Sequence, residues 1–269
     1  MPSIVDWDDP AADWGGFDLV VIRSTWDYTW RRDEFLAWAD RVGDRLRNSP
    51  AVVRWNSDKR YLGALGSAGL AVVRTRFVEP GDEPPRLVGE VVVKPTVSAG
   101  GRDTGRFGPD AHDMAAELVG RILASGRTAM VQPYLESVDR EGETALVFVA
   151  GEPVHALRKR AVLQPDEVAP VRDDALGAAE AMYDPSLVRS SSAQPDEVDA
   201  ARAIVDHLGE RFGSTPLIVR VDLARAADGS PTVMELEAIE PSMYLGLDPA
   251  SAPRIAAAVL AEAARRADT

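Results

Sequence analysis

The 269-residue chain has no cysteine and only three histidines. The first absence excludes a disulfide framework, a cysteine nucleophile and a thiolate zinc site. His112, His155 and His207 are scattered with no metal-type spacing, so they read as surface or packing residues. There is no signal-peptide pattern and no apolar run long enough to span a bilayer, which makes a soluble, cytoplasmic protein without a membrane partner the expectation. Positive charge is also short. Thirty Lys and Arg against 43 Asp and Glu give a formal net charge of -13, which repels nucleic acid and anionic membranes at long range. What is present in quantity is apolar: 45 % of residues are hydrophobic, enough to bury sizeable cores in two or three lobes.

Two short apolar runs, residues 217–224 and 232–238, flank Asp228-Gly229. Asp-Gly between β-type runs signals a hairpin, because a two-residue type I′ turn needs φ > 0 at both central positions. With Asp228 and Gly229 as those positions, Asp222 stands opposite Glu235 and Arg220 opposite Glu237, and all four side chains share one face. Like charges opposed on a sheet are destabilising. Clustered carboxylates kept at such a place point to a metal site of Asp222, Glu235 and Glu237, whose hard oxygens suit Mg2+, with Mn2+ able to replace it. The plain alternative is a solvated acidic face.

Val91-Val92-Val93-Lys94-Pro95 reads as a buried strand feeding a glycine-rich loop from Thr96 to Arg106. Small residues such as Ser98, Gly100 and Gly101 let backbone N–H groups close on phosphate oxygens, and Arg102 and Arg106 can add charge-assisted contacts. The loop lacks Walker spacing. Asn56-Ser57-Asp58-Lys59 is expected to open a helix with Lys59 in its first turn, where a lysine opposes the helix dipole and invites a nearby anion.

In this order, from Lys59 through Lys94, the strand at 129–135, Glu143, Arg158-Lys159, Arg220-x-Asp222 and Glu235-x-Glu237, the features resemble the ATP-grasp superfamily. Segments 23–28, 54–62, 94–102 and 132–135 resemble its subgroup of cycloserine-forming, O-ureido-serine-cyclising ligases. The resemblance implies an α/β fold class with α+β lobes, and ATP as cofactor. Lys59 and Lys94 would contact phosphates, with Lys94 also reaching the adenine, the linker with Gln132, Tyr134 and Leu135 would supply backbone groups to the adenine edge, and Glu143 would accept from the ribose hydroxyls. Asp222, Glu235 and Glu237 would hold the metal ions, and Arg220, Arg158 and Lys159 would serve catalysis. One departure stands out: the last metal ligand is commonly asparagine in the superfamily, and Glu237 here argues against close kinship with dipeptide-forming members. Arg220 is the expected compensating cation.

Along the chain, a strand at 3–7, a buried strand at 17–23 and a helix at 32–42 imply a parallel α/β lobe. Against the resemblance this lobe is short of one strand and one helix, which would leave Ile4, Leu19, Val21 and Ile22 partly uncovered. The loop after the second strand carries Arg23, Ser24, Thr25 and Asp27 where open α/β sheets place ligand groups; with Glu240 and Ser242 it makes the expected substrate set. Prolines and acidic residues between 164 and 194 suggest a long irregular insertion. Helical periodicity follows from 196 to 212, and in a final helix from Ser251 with Ile255, Val259, Leu260 and Ala263 inward. Expected lobes are 1–55, 56–130 with the flap, and 131–269 with the metal site. The function expected is an ATP- and Mg-dependent ligase or cyclase that forms a C–N bond through a phosphorylated intermediate of a small amino-acid-like substrate, with a homodimer admitted. The rival is a non-catalytic ATP-binding module, against which the retained metal carboxylates speak.

Overall fold

In the computed structural model, residues 2–83, 85–163 and 186–267 are described. The first lobe is a minimal parallel unit: β1 (Val20–Val21), α1 (Arg32–Val42) and β2 (Leu46–Arg47), with β1 and β2 paired. α1 buries Phe35, Leu36, Trp38, Ala39 and Val42. The Phe35 ring stacks at 5.2 Å on both Tyr28 and Trp38, and Trp7 meets it edge-on at 5.3 Å, geometries that aromatic quadrupoles favour. The expected strand at 3–7 does not form. Asp9 N–H bonds the Asp6 carbonyl in a turn, and Trp7 leaves the surface for the aromatic cluster. The strand at 17–23 contracts to β1. Ile22 is buried, and Leu19 and Val21 pack against a core containing Met243 and Ile255; Ile4 alone of the four is fully exposed.

α2 (Pro50–Asn56) follows, capped by Ser49, and after a turn comes α3 (Tyr61–Ser67). No helix opens at Asn56. Asp58 accepts from both the backbone N–H and the guanidinium of Arg60, a local bond that competes with helical pairing, so Lys59 lies in the turn between two helices. The four-stranded antiparallel sheet contains β3 (Arg76–Val78), β4 (Val91–Pro95), β5 (Gly105–Phe107) and β6 (Ala129–Pro133), in the order β3-β6-β4-β5. α4 (His112–Ala124) covers it with Ala115, Leu118, Val119 and Ile122 against Val91, Val93 and Phe107. Strand alternation then puts Lys94 on the opposite face. An expected lobe boundary at 130 falls inside β6.

The larger sheet contains β7 (Glu143–Val149), reached through the short helix α5 (Ser137–Arg140), then β8 (Glu152–Lys159) and β9 (Val188–Ser191), and after α6 (Pro195–Phe212), β10 (Ile218–Arg225) and β11 (Pro231–Glu237); its order is β11-β10-β7-β8-β9, all antiparallel. α6 opens with a Gln194/Glu197 capping box and buries Ala201, Ile204, Val205 and Leu208 against the sheet, together with Tyr61, Leu62 and Leu65 of α3. Of the expected insertion, 164–185 lies outside the described residues, while 188–191 is a strand rather than irregular chain. α7 (Ser251–Ala267) buries Ile255, but Leu260 is 67 % exposed: the helix meets the sheet along a narrower stripe than its periodicity suggested. No helix among the described residues is long and apolar enough to cross a membrane.

Two buried asparagines lock the first lobe and α2 onto the larger sheet. Asn48 donates to the Ile218 and Ala238 carbonyls and accepts from Leu217 N–H. Asn56 donates to the Leu236 carbonyl at 2.9 Å and accepts from Ala238 N–H at 2.7 Å. The ends of β10 and β11 are thereby held beneath the turn that carries Lys59.

Candidate active site

The β10–β11 hairpin carries Asp222 opposite Glu235 and Arg220 opposite Glu237, by a different route from the two-residue turn. Ala226 N–H bonds the Ser230 carbonyl and Gly229 has φ 83°, so the connection has three residues and the strands leave it one position out of the expected register. An irregularity between Asp222 and Leu223, where the partner of Leu223 is Val233, shifts the pairing back. The two departures cancel at the carboxylates. Oxygens of Asp222, Glu235 and Glu237 lie within 4.8 Å of one another.

Each carboxylate has a cation. Arg220 donates to both oxygens of Asp222 at 2.7 and 2.8 Å, and from Nη2 to Glu237 at 2.5 Å. Lys159 Nζ bridges Asp222 at 2.7 Å and Glu143 at 3.1 Å. Lys59 Nζ lies 3.3 Å from Glu235 and donates to the Ser98 carbonyl at 2.6 Å. Burial pushes the Asp222 carboxyl up, but Arg220 and Lys159 outweigh it and hold the group well below the usual carboxylate range. Glu235 is likewise held low against its burial by Lys59 and Lys94. For Glu237 burial wins, helped by Asp222 and Glu235, and its pKa is raised despite Arg220. Glu240 is pushed up to about 8 by burial and by Glu237. Lys94 is lowered by burial, aided by Lys59 and Lys159. The donor set fits a hard divalent cation: three carboxylate oxygens converge, and one of them carries a negative charge that its protein neighbours do not fully compensate.

These groups form one wall of a cleft of about 310 Å³, lined also by Ser98, Gly100, Gly101 and Arg102 of the flap, by Lys94, Glu143, Lys159, Glu240 and Ser242, and by Trp26 and Tyr28. Asp222, 1 % exposed, lies beneath Arg220 and Lys159. Gly100 and Gly101 have successive φ of 68° and 71°, a path that glycine takes without a Cβ penalty. The flap leans on the first lobe, with the Arg102 guanidinium 3.9 Å from the Trp30 ring centroid.

Several expected residues stand elsewhere. Arg158 alternates with Lys159 on β8 and so faces α6, where its guanidinium is 3.9 Å from Glu197; it is not brought to the cleft. Gln132 is buried and donates to Thr75. The Tyr134 ring lies under Arg106, its hydroxyl donates to Asp139 at 2.6 Å and its backbone N–H to Glu90, and Leu135 does not line the cleft. Asp27 accepts from the Trp7 indole at 3.1 Å, serving the aromatic core. Arg23 donates to the Pro241 carbonyl at 2.8 Å, and Ser24 is exposed with φ 56°. Thr25 Oγ1 is buried with no hydrogen-bond partner among the described residues.

Sequence reasoning missed Arg160, Val162 and Leu163, which line the cleft after β8, and Tyr244 beyond β11. The short apolar run directly after Arg158-Lys159-Arg160 was the available signal. A stronger one lay in composition: of thirty Lys and Arg, only Lys59, Lys94 and Lys159 are lysine, and all three line this cleft.

Residues 1–48 match the family model described as D-cycloserine synthetase DcsG, N-terminal domain. The sequence is 39 % identical over 271 residues to the cycloserine biosynthesis protein DcsG of Streptomyces lavendulae, covering 96 % of this chain and 87 % of that protein. The crystal structure of D-cycloserine synthetase DcsG matches with a TM-score of 0.83 and 35 % identity, over 98 % of this chain and 89 % of that one. The D-alanine–D-alanine ligase of Bacillus anthracis, solved in complex with ATP, matches with a TM-score of 0.57 at 14 % identity, over 82 % of this chain and 70 % of that one, a likeness of fold. The chain belongs to the ATP-grasp ligases, within the family of the cycloserine biosynthesis protein DcsG.

Proposed function

We propose that this ATP-dependent ligase joins a carboxylate to an amine on a small amino-acid-like substrate, in one molecule as a cyclase or between two. The observation that carries the reading is the convergence of all three lysines of the chain and a three-carboxylate cluster on one cleft. In the first step a substrate carboxylate oxygen attacks the γ-phosphorus of ATP, forming an O–P bond and releasing ADP. In the second an amine attacks the acyl carbon, phosphate departs with the former carboxylate oxygen, and the amine loses a proton.

Lys59 and Lys94 hold the phosphates as a pair, one on the inter-helix turn and one on β4, with the turn joined to the end of that strand by the bond from Lys59 N–H to the Thr96 carbonyl. Ser98, Gly100 and Gly101 close over them. Arg220 and Lys159 fix Asp222 as a permanently charged group, and the same two cations offset negative charge that develops during transfer. Asp222, Glu235 and Glu237 would hold Mg2+ or Mn2+, which supplies charge neutralisation and alignment of phosphate oxygens. Val162 and Leu163 offer apolar surface against which a base can lie. No side-chain nucleophile is required. The similarity to a D-cycloserine synthetase supports an intramolecular C–N closure.

Isothermal titration with AMP-PNP and Mg2+, followed by ADP release over amino acids and their ureido and amino-oxy derivatives, tests the reading. Metal-dependent nucleotide binding and substrate-dependent ADP release are expected. Binding without ADP release for any compound would leave the non-catalytic module.

A further inference from the structure

Of the carboxylates in or beneath the cleft, Glu240 alone is without a hydrogen bond or ion pair to any described residue. Asp222 is held by Arg220 and Lys159, Glu143 by Lys159, Glu235 by Lys59 and Glu237 by Arg220. Glu240 lies three residues past β11, is 8 % exposed, and turns that remnant of surface into the cleft. Its cationic neighbours are committed: Lys59 to Glu235 and Ser98, Arg220 to Asp222 and Glu237, and an Arg23 N–H to the carbonyl of Pro241. The wall beside it is aromatic, from Trp26 and Tyr28. A carboxylate withdrawn from water without a partner is costly, and the missing partner here is a donor of N–H bonds carrying positive charge.

We infer that Glu240 is the specificity-determining contact for a protonated amine on the substrate. The inference rests on the ligase reading above and deepens it: the phosphate-binding lysines mark the end of the cleft where a carboxylate is activated, and Glu240 marks the place of an ammonium on the same small molecule. A carboxylate that is nine-tenths buried and has no partner favours a cation over a neutral hydroxyl of equal size. A 2-hydroxy acid of the same skeleton leaves Glu240 as unpaired as before, and is selected against for that reason.

The test is isothermal titration of the full chain, loaded with AMP-PNP and Mg2+, with D- and L-amino acids up to the size of glutamine, each beside its 2-hydroxy-acid counterpart. At least one amino acid is expected to bind, with the hydroxy acid weaker by about tenfold or more. Glu240→Gln should lose a similar factor for that amino acid while AMP-PNP affinity stays, and Glu240→Asp should recover part of it. Equal binding of amino and hydroxy acid, unaltered amino-acid affinity in Glu240→Gln, or no amino-acid binding to nucleotide-loaded protein overturns the inference and leaves the ligase reading standing. If Glu240→Gln does not fold, the amino-acid against hydroxy-acid comparison on the unaltered chain decides alone. Failure of AMP-PNP to bind at all is a separate result, which sinks the ligase reading and this inference with it.

Discussion

Arg220 and Glu237 face each other across β10 and β11 with Nη2 2.5 Å from a carboxylate oxygen, and the same guanidinium grips Asp222. One cation serves two acids. The second acid is under-compensated, and burial raises its pKa. A carboxyl whose folded pKa lies above its unfolded value binds more protons in the native state, so its contribution to stability is present below about pH 4.5 and is lost as pH rises through the folded value. Glu240, pushed up to about 8, has the same sign over the window 4.5 to 8.

Glu237→Gln should therefore stabilise the metal-free protein, by an amount that grows from pH 5 to pH 8 and is on the order of 1 kcal/mol for each unit of raised pKa removed. It should also weaken divalent-ion binding. Melting curves in EDTA at both pH values check the first part, and Mn2+ titration the second. A variant less stable than the parent at pH 8 would show that the Arg220 pair outweighs burial.

Glu235 carries the opposite sign. Removing a ligand from a cluster of like charges suggests, from sequence alone, a metal-free protein that is as stable or more so. The structure reverses this expectation, because Glu235 lies 3.3 Å from Lys59, and Lys59 and Lys94 hold its carboxyl low. Its stabilising contribution is present at neutral pH and lost on acidification. Glu235→Gln should lower the melting temperature in EDTA at pH 7, narrow the gap to the parent as pH falls below about 4.5, close it only near pH 2 and below, and abolish Mg-dependent ADP release. Undiminished turnover at saturating Mg2+ would remove Glu235 from the metal set.

The flap was legible as a glycine-rich loop, but its support was not. Arg102 lies over Trp30, a contact between residues 72 positions apart that no local pattern encodes. Such a cation–π pair at a half-exposed ring is worth about 0.5–1 kcal/mol. Trp30→Ala should speed hydrogen exchange across 98–105 in the nucleotide-free protein and raise the KM for ATP a few-fold, with kcat little changed. Exchange unaltered by the substitution would mean that the Lys59–Ser98 bonds alone hold the loop.

What could be read from the chain was whatever strand periodicity and charge order fix: the opposed carboxylates, the lysine before the flap, α1, α6 and the apolar runs of β10 and β11. The unread part depends on partners distant in sequence. The segment at 3–7 has a strand-like pattern but no neighbour to pair with, and Trp7 is drawn to Phe35 instead. Asp27 reads as a ligand until the Trp7 indole is found on it. The hairpin register came out right although the turn and the bulge were each unforeseen, since two one-residue shifts of opposite sense restore the same pairs.

Arg158 and Lys159 supply the sharpest test of strand alternation. Adjacent in sequence, they look like one basic unit, yet successive side chains on β8 point to opposite faces. Lys159 reaches Asp222 and Glu143 in the cleft, whereas Arg158 lies beside Glu197, which also accepts from Thr144 at 2.8 Å and is 3.4 Å from Arg225. Glu197 is 3 % exposed, so its cations matter for the seat of α6 on the sheet. Lys159→Met should cut ADP release by about a hundredfold or more, as loss of a preorganised charge at a phosphoryl site does. Arg158→Met should lower the melting temperature while leaving kcat within a few-fold of the parent, because Arg225 still reaches Glu197 and nothing in the cleft is disturbed. Comparable loss of turnover in both variants, at temperatures where both remain folded, would show that Arg158 acts on the reaction despite the face it occupies.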